Sequence, residues 1–334
     1  MTTARGVFVR EHGERDVLEV REHDVPDPGP GEVQVEVAAT GVNFIDVYRR
    51  QGVYPGTTPF VLAEEGAGRV VAVGQGVESF SVGDRVAWPQ GQPSATTVAN
   101  QTADMVVSVP EGVELETAAA AMLQGLTAHY LVTSTYAAGP GDVALVHAAA
   151  GGVGQLLVQL LVAKGCTVIA TAGSDEKCEI ARELGATHKI NYSNYSRTED
   201  LAAAVRDAAG RGVDVVYDGV GKATFDASLA SLRRRGLMVL FGGASGQVPP
   251  FDLQRLNSLG SLFVTRPKLL DHIAEREELE WRASEVFAAI EDGSLKIEVG
   301  GRYSFDRAAE AYEALESRRS TGKLILVPSD GDSK

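Results

Sequence analysis

His147-Ala148-Ala149-Ala150-Gly151-Gly152-Val153-Gly154 stands between a short apolar stretch at 142–146 and a longer one at 155–163. The first reads as a strand and the second as a helix, with the glycines in the turn that joins them. Glycine lets a backbone approach a bound group closely. The first turn of a helix adds N–H groups without an intrahelical acceptor, at the positive end of the dipole. A glycine cluster alone is a weak signal. Here Cys166-Thr-Val-Ile-Ala-Thr171 follows the helix as a second strand and completes a βαβ unit. Small residues are packed where such a unit seats a pyrophosphate, so the stretch implies a dinucleotide site rather than a plain tight turn.

Working outward, strand and helix alternate from about residue 126. Strands are expected near 142–148, 166–171, 187–191, 213–218, 237–242 and 261–265, and helices near 153–164, 175–184, 198–209, 223–233 and 252–257. This alternation predicts an α/β unit with a doubly wound parallel sheet. Residues 1–125 read differently. They are rich in valine, glycine and proline and carry short alternating runs, Gly31-Glu-Val-Gln-Val-Glu-Val37, Arg69-Val-Val-Ala-Val73 and Asp84-Arg-Val-Ala-Trp88. Turn signals such as Pro26-Asp-Pro-Gly-Pro30 separate them, which predicts a mostly antiparallel β domain. A helix starts at 114–121 and continues through 127–134. After Thr265 the alternation stops. A long helix is expected at 275–292, an extended or irregular stretch at 300–305, a helix at 306–318 and a final strand at 323–327. This tail is expected to return to the first domain.

Composition narrows the function classes. The 334 residues include only two cysteines, Cys166 and Cys178, too few for a disulfide framework or a structural zinc site. There is no long uncharged apolar stretch and no signal-like N-terminus, so a cytosolic chain is expected. The formal net charge of −14 repels nucleic acid and anionic membranes. Any anion site must therefore be locally basic. The one basic run, Arg233-Arg234-Arg235, reads as a solvated helix end.

The cofactor is read from the end of the second strand, where an NAD site carries an acid for the ribose 2′-hydroxyl. Here the sequence is Ala170-Thr-Ala-Gly173-Ser174, with no acid until Asp175 and with Lys177 close behind. A lysine among small polar residues suits a 2′-phosphate and favours NADPH, the alternative being a solvated helix lysine. Tyr192, after the third strand, either flanks the adenosine side or closes a core edge. Thr127, at an expected helix start, either bonds the nicotinamide carboxamide or caps the helix.

Gly41-Val-Asn43-Phe-Ile-Asp46-Val-Tyr48-Arg-Arg50-Gln-Gly52-Val-Tyr54-Pro55 sharpens this reading. Taken in order with Gly83-Asp-Arg-Val86, Gln124-Gly-Leu-Thr-Ala128, Val213-Asp-Val-Val-Tyr-Asp218, Phe241-Gly-Gly-Ala-Ser-Gly246, Val264-Thr-Arg-Pro267 and Ser320-Thr-Gly-Lys323, it resembles the medium-chain dehydrogenase/reductase superfamily. Within that superfamily the chain is similar to the zinc-independent, zeta-crystallin-like NADPH:quinone oxidoreductases, from about residue 7 to 327. The resemblance implies a GroES-like catalytic domain at 1–125, completed by 267–334, and a Rossmann NADPH-binding domain at 126–266. It implies that Asn43 and Tyr48 face the nicotinamide and the acceptor, with Tyr54 at the pocket edge. The cofactor would lie along Gly151, Gly152, Val153 and Gly154, with its nicotinamide near Phe241, Gly242 and Ser245. Lys323 and Arg266 would reach the cofactor or a subunit junction. Relatives pair edge strands across a two-fold axis, so the apolar strands within 237–265 imply a homodimer.

Zinc enzymes of the superfamily carry a cysteine where this chain has Asn43, a Gly-His-Glu where it has Ala63-Glu64-Glu65, and a four-cysteine lobe that is missing. A catalytic zinc needs three good protein ligands. His12 and His23 lie outside the matching motifs, so no metal is expected. Hydride transfer then needs positioning and a polarised acceptor. A quinone suits this, because an amide such as Asn43 or a phenol such as Tyr48 can donate to the oxygen on which charge develops. Asn43 can also stabilise its turn, and Tyr48 can be an ordinary core tyrosine. Asp46 reads as a loop holder and Arg50 as a structural ion-pair partner. Ala63, Glu64, Gly219 and Gly243 depart from the family pattern, and Gly219 removes one serine hydrogen bond. The expected activity is NADPH-dependent quinone reduction. The alternatives are reduction of α,β-unsaturated ketones in the same cleft between domains, and a non-catalytic NADPH- or RNA-binding role, the RNA role being opposed by the charge.

Overall fold

Val33, Val35 and Val37 alternate along Glu32–Val42 and are all buried, the period-two signature of a strand with one face in a core. In the computed structural model this strand is the spine of the first of two units, Met1–Leu126 with Ile273–Lys334; the second is Thr127–His272. Residues 1–91, 93–317 and 320–329 are described.

The first unit begins with β1 (Thr2–Val9), β2 (Leu18–Val25), β3 (Glu32–Val42), α1 (Phe44–Arg50), β4 (Phe60–Val61), β5 (Gly66–Val73), β6 (Arg85–Trp88), β7 (Val98–Thr102), β8 (Val107–Ser108) and α2 (Leu115–Tyr130). The second unit holds β9 (Val143–Val146), α3 (Gly152–Ala163), β10 (Thr167–Ala172), α4 (Asp175–Glu183), β11 (His188–Asn191), α5 (Thr198–Ala209), β12 (Val213–Asp218), α6 (Phe225–Ser231), β13 (Leu232–Leu240), α7 (Gln254–Ser258) and β14 (Phe263–Thr265). The chain then supplies α8 (Arg276–Glu291), β15 (Val299–Ser304), α9 (Ala308–Glu316) and β16 (Lys323–Val327) to the first unit.

In the first unit a sheet runs β15-β16-β3-β5-β6-β8, with β7 also on β3, and a smaller sheet runs β2-β1-β4. All pairings are antiparallel except β15 with β16. The returning strand β16 sets Leu324, Ile325 and Leu326 opposite Val42, Gly41 and Thr40, so the end of the chain is zipped to the end of β3. Val42, Leu62, Phe305, Tyr312 and Leu324 share one core, and Val35, Phe80 and Trp88 share another.

The second unit is the expected doubly wound sheet. Its strands are parallel in the order β11-β10-β9-β12-β13-β14, so the winding reverses between β9 and β12. Every residue of β9 and of β12 is buried, as strands covered on both faces must be.

Two expectations are corrected. Thr127 does not start a helix; it lies inside α2, because the alanine-rich run from 115 carries the helix straight through it. Arg233, Arg234 and Arg235 are not a helix end. α6 stops at Ser231 and the arginines belong to β13, with Arg235 in the left-handed region at φ 57°. Buried Asp214 on β12 draws Arg233 into an ion pair, and Arg206 bonds the carbonyls of Ala230 and Leu232, so side-chain partners fix a strand there. Among the described residues no helix is long and apolar enough to cross a membrane.

Candidate functional site

In the second unit the carboxyl ends of β9, β10, β11, β12 and β13 carry the residues singled out for the cofactor. Ala148 opens the glycine turn at φ 51°, and Gly151 precedes α3, which starts at Gly152 and Val153. Gly154 has no room for a side chain. An added Cβ would strike the Ala148 carbonyl and come within 2.8 Å of the Ala149 Cα, so α3 packs directly on the turn. The first N–H groups of α3, which have no intrahelical acceptor, thus lie directly against the turn. His147 lies beneath, with Nδ1 2.8 Å from Thr171 Oγ1 and its Nε2 buried. Burial lowers its pKa and favours the neutral ring.

The end of β10 forms a second corner. Ser174 caps α4, its Oγ accepting from the Lys177 N–H at 3.3 Å. Tyr192 leans over Gly173, where an added Cβ would meet its hydroxyl at 2.8 Å, and Ser193 Oγ donates to the Gly173 carbonyl at 2.8 Å. Burial pushes the Lys177 ammonium below its ordinary value, which a neighbouring phosphate would reverse. Asp175, the first acid, accepts from Asn191 at 2.9 Å. Gly173, Ser174, Tyr192 and the Lys177 backbone are thus brought together at this corner.

Phe241, Gly242 and Ser245 form the turn after β13. The Gly219 position is filled by the Phe241 ring, since a Cβ there would lie 2.9 Å from two ring carbons. Glycine at 219 therefore makes room for an aromatic. Ser245 Oγ donates to the Val220 carbonyl at 2.8 Å and accepts from the Ala223 N–H at 2.9 Å, so it locks this turn to the loop after β12. Asp218 anchors that loop, accepting from Val220, Gly221, Thr224 and Ser228.

In the first unit Asn43 precedes α1. Its N–H donates to Asp46 Oδ2 at 2.8 Å in a capping box that ties the turn, and its side chain makes further bonds. Nδ2 donates to Glu65 Oε1 at 2.6 Å, while Oδ1 accepts from Lys323 Nζ at 2.7 Å and Gln124 Nε2 at 3.2 Å. Lys323 also bonds Glu65 Oε1, and Glu65 Oε2 accepts from the Leu123 N–H at 2.6 Å. Gly41 makes this possible. A Cβ there would overlap the Glu65 carboxylate, with Cδ at 2.5 Å and Cγ at 2.8 Å. Lys323, expected at the cofactor or a subunit junction, is therefore buried beside Asn43. Glu65 and Gln124 were not singled out from sequence; the glycine at 41 was the available signal.

Tyr48 and Tyr54 meet edge to face, ring centroids 5.9 Å apart, and Tyr54 lines a cavity of about 230 Å³ with Asp46, Arg49, Phe60, Leu62 and Glu64. Burial, reinforced by Glu64, raises the Asp46 carboxyl to about 7, against the bonds from the Asn43 N–H and the Tyr312 hydroxyl. Glu64 is also raised by burial and is paired with Arg49. Arg50 is buried and bonds Glu316 at 2.8 Å and the Gly13 carbonyl at 3.2 Å, a structural role. Among the described residues no group of three or more His, Cys, Asp or Glu could hold a metal ion.

Two family models match the chain, the alcohol dehydrogenase GroES-like domain over 29–142 and the zinc-binding dehydrogenase over 152–279. A quinone oxidoreductase of Salmonella typhimurium is 44% identical over 97% of this chain and 100% of its own length. A mycobacterial protein solved in complex with NADPH has 44% identity and a TM-score of 0.94, covering 97% of this chain and all of the other. Escherichia coli quinone oxidoreductase, also solved with NADPH, has 41% identity and a TM-score of 0.94, covering 98% and 100%.

Proposed function

The chain belongs to the quinone oxidoreductase family of the medium-chain dehydrogenase/reductases, with a GroES-like and a Rossmann unit, and from that premise we propose that it is an NADPH-dependent quinone reductase needing no metal. Bound NADPH supplies a hydride from its nicotinamide. The chain's own residues bind and orient. The N–H groups of Gly152, Val153 and Gly154 take the pyrophosphate, while Ser174 and Lys177 hold the 2′-phosphate with Tyr192 and Gly173 beside them. Phe241, Gly242, Ser245 and Thr127 shape the nicotinamide end. Asn43 and Tyr48 donate to the acceptor oxygen on which charge develops, and Tyr54, edge to face with Tyr48, stands at the rim of the acceptor site.

The observation that carries the cofactor reading is the β10 corner, where Lys177 and Ser174 stand and the first acid is turned to Asn191. The test is consumption of NADPH and NADH by purified protein with a simple quinone and a chelator. NADPH should be consumed many-fold faster, with no effect of the chelator. Equal use of both cofactors would remove Lys177 from its role, and no turnover with either would overturn the assignment.

The same reading makes the enzyme a cytosolic homodimer. Edge strand β14 leaves Phe263 59% exposed, and Leu253 on the connection before it is 70% exposed, an apolar edge that a second copy would cover. A monomer mass by light scattering at micromolar concentration would refute the dimer.

A further inference from the structure

The Asn43 amide is caught between opposite charges. Its oxygen accepts from the Lys323 ammonium and from Gln124, and its nitrogen donates to the Glu65 carboxylate. Lys323 and Glu65 are 2% and 0% exposed, so water does not blunt these contacts. A half-turn of the amide would set –NH2 against two donors and the carbonyl against a carboxylate. One orientation therefore persists. Nδ2 carries two hydrogens, and Glu65 takes one of them. An ammonium on Oδ1 also draws electron density toward the oxygen and leaves the remaining N–H more positive.

We propose that Lys323 and Glu65 are positioning residues of the reduction, holding Asn43 so that its second amide N–H is always presented as a polarised donor to the acceptor oxygen. This rests on the reading of Asn43 as an acceptor-binding residue. It also takes Lys323 out of the cofactor-binding set, because its ammonium is engaged by two oxygens within the first unit. Neither residue touches the acceptor; both act through Asn43.

The experiment compares wild type, Asn43→Ala, Lys323→Met and the double variant for kcat and both KM values. NADPH affinity is read separately from the fluorescence of the bound cofactor, and folding from thermal midpoints. Lys323→Met should lower kcat by about 10- to 100-fold, below the loss of an entire donor, with NADPH affinity within about twofold of wild type. In the Asn43→Ala background the same change should lower kcat by less than about twofold, since the group it orients is gone. Lys323→Arg should restore part of kcat.

An equal loss of kcat in both backgrounds would overturn the proposal, and so would a tenfold weakening of NADPH binding. If Lys323→Met does not fold, Glu65→Gln/Lys323→Met removes both charges together. It should show the same loss of kcat, and wild-type turnover by this folded variant would refute the proposal. Wild-type protein without quinone reduction, or Asn43→Ala with wild-type kcat, would sink the underlying reading together with this one. Both are visible before any Lys323 variant is made.

Discussion

Gly41→Ala asks whether the buried cluster holds the first unit together. Gly41 lies in β3 outside the left-handed region, so alanine fits its backbone. On that ground alone the change would stabilise by about 0.5–1 kcal/mol, chiefly by restricting the unfolded chain. Sterics reverse the sign. The new Cβ would overlap Glu65, whose Cδ and Cγ lie at 2.5 and 2.8 Å, below the 3.0 Å floor of real Cβ contacts. Glu65 cannot step aside freely, because Asn43 and the Leu123 N–H hold it at 2.6 Å and Lys323 pairs with it. Displacing it strands a buried ammonium, which costs about 3–5 kcal/mol, so the net destabilisation should be about 2–4 kcal/mol. Trp88 and Trp281, the chain's two tryptophans, both belong to the first unit, and their fluorescence reports its unfolding. The thermal midpoint should fall by roughly 5–15 °C, and the urea midpoint should drop with an unchanged slope. A loss under about 0.5 kcal/mol, within the range of an ordinary surface change, would refute the reasoning. So would an equal loss in a Glu65→Ala background, where the clash has no target.

Asp46 gives a pH signature. Because its folded carboxyl is raised to about 7, the folded chain keeps a proton that the unfolded chain releases near pH 4, so stability falls as pH rises through that window. Asp46→Asn removes this titration, and its stability should gain on wild type by about 2–3 kcal/mol between pH 5 and pH 8; parallel curves in urea unfolding would count against it. Lys177→Ala should raise the KM for NADPH about tenfold or more and leave that for NADH unchanged, the loss of one charged hydrogen bond. Gly219→Ser should displace the Phe241 ring and destabilise the second unit by about 1–3 kcal/mol, read by far-UV circular dichroism during unfolding.

The second unit was the more legible half. There α5 and β12 have the bounds expected from sequence, because periodicity and glycine punctuation agree; in the first unit β16 does too. Thr127 and the arginine run misled for different reasons, helix propensity continuing through the first and a tertiary partner overriding the local signal at the second. An alanine-rich helix ran through the first, and buried Asp214 recruited the second. Asn43 was visible by its place in a motif, but the residues that fix its amide were not. Glu65, Gln124 and Lys323 lie 22, 81 and 280 positions away in the chain. They lie just before β5, on α2 and on β16, so only the tertiary fold unites them, and no local pattern marks a lysine at a strand start as buried. The structure also shows what glycine at 219 does, making room for the Phe241 ring, where sequence registers only the loss of a hydrogen bond.

The return of β16 to β3 has a bearing on biosynthesis. The second unit is contiguous and can close as soon as His272 has left the ribosome, whereas β3 must wait for a strand made about 280 residues later. Until then the Gly41 edge of β3 is unpaired and Glu65 lacks its cation. A nascent chain would thus complete its second unit before Lys323 could reach Asn43 and Glu65.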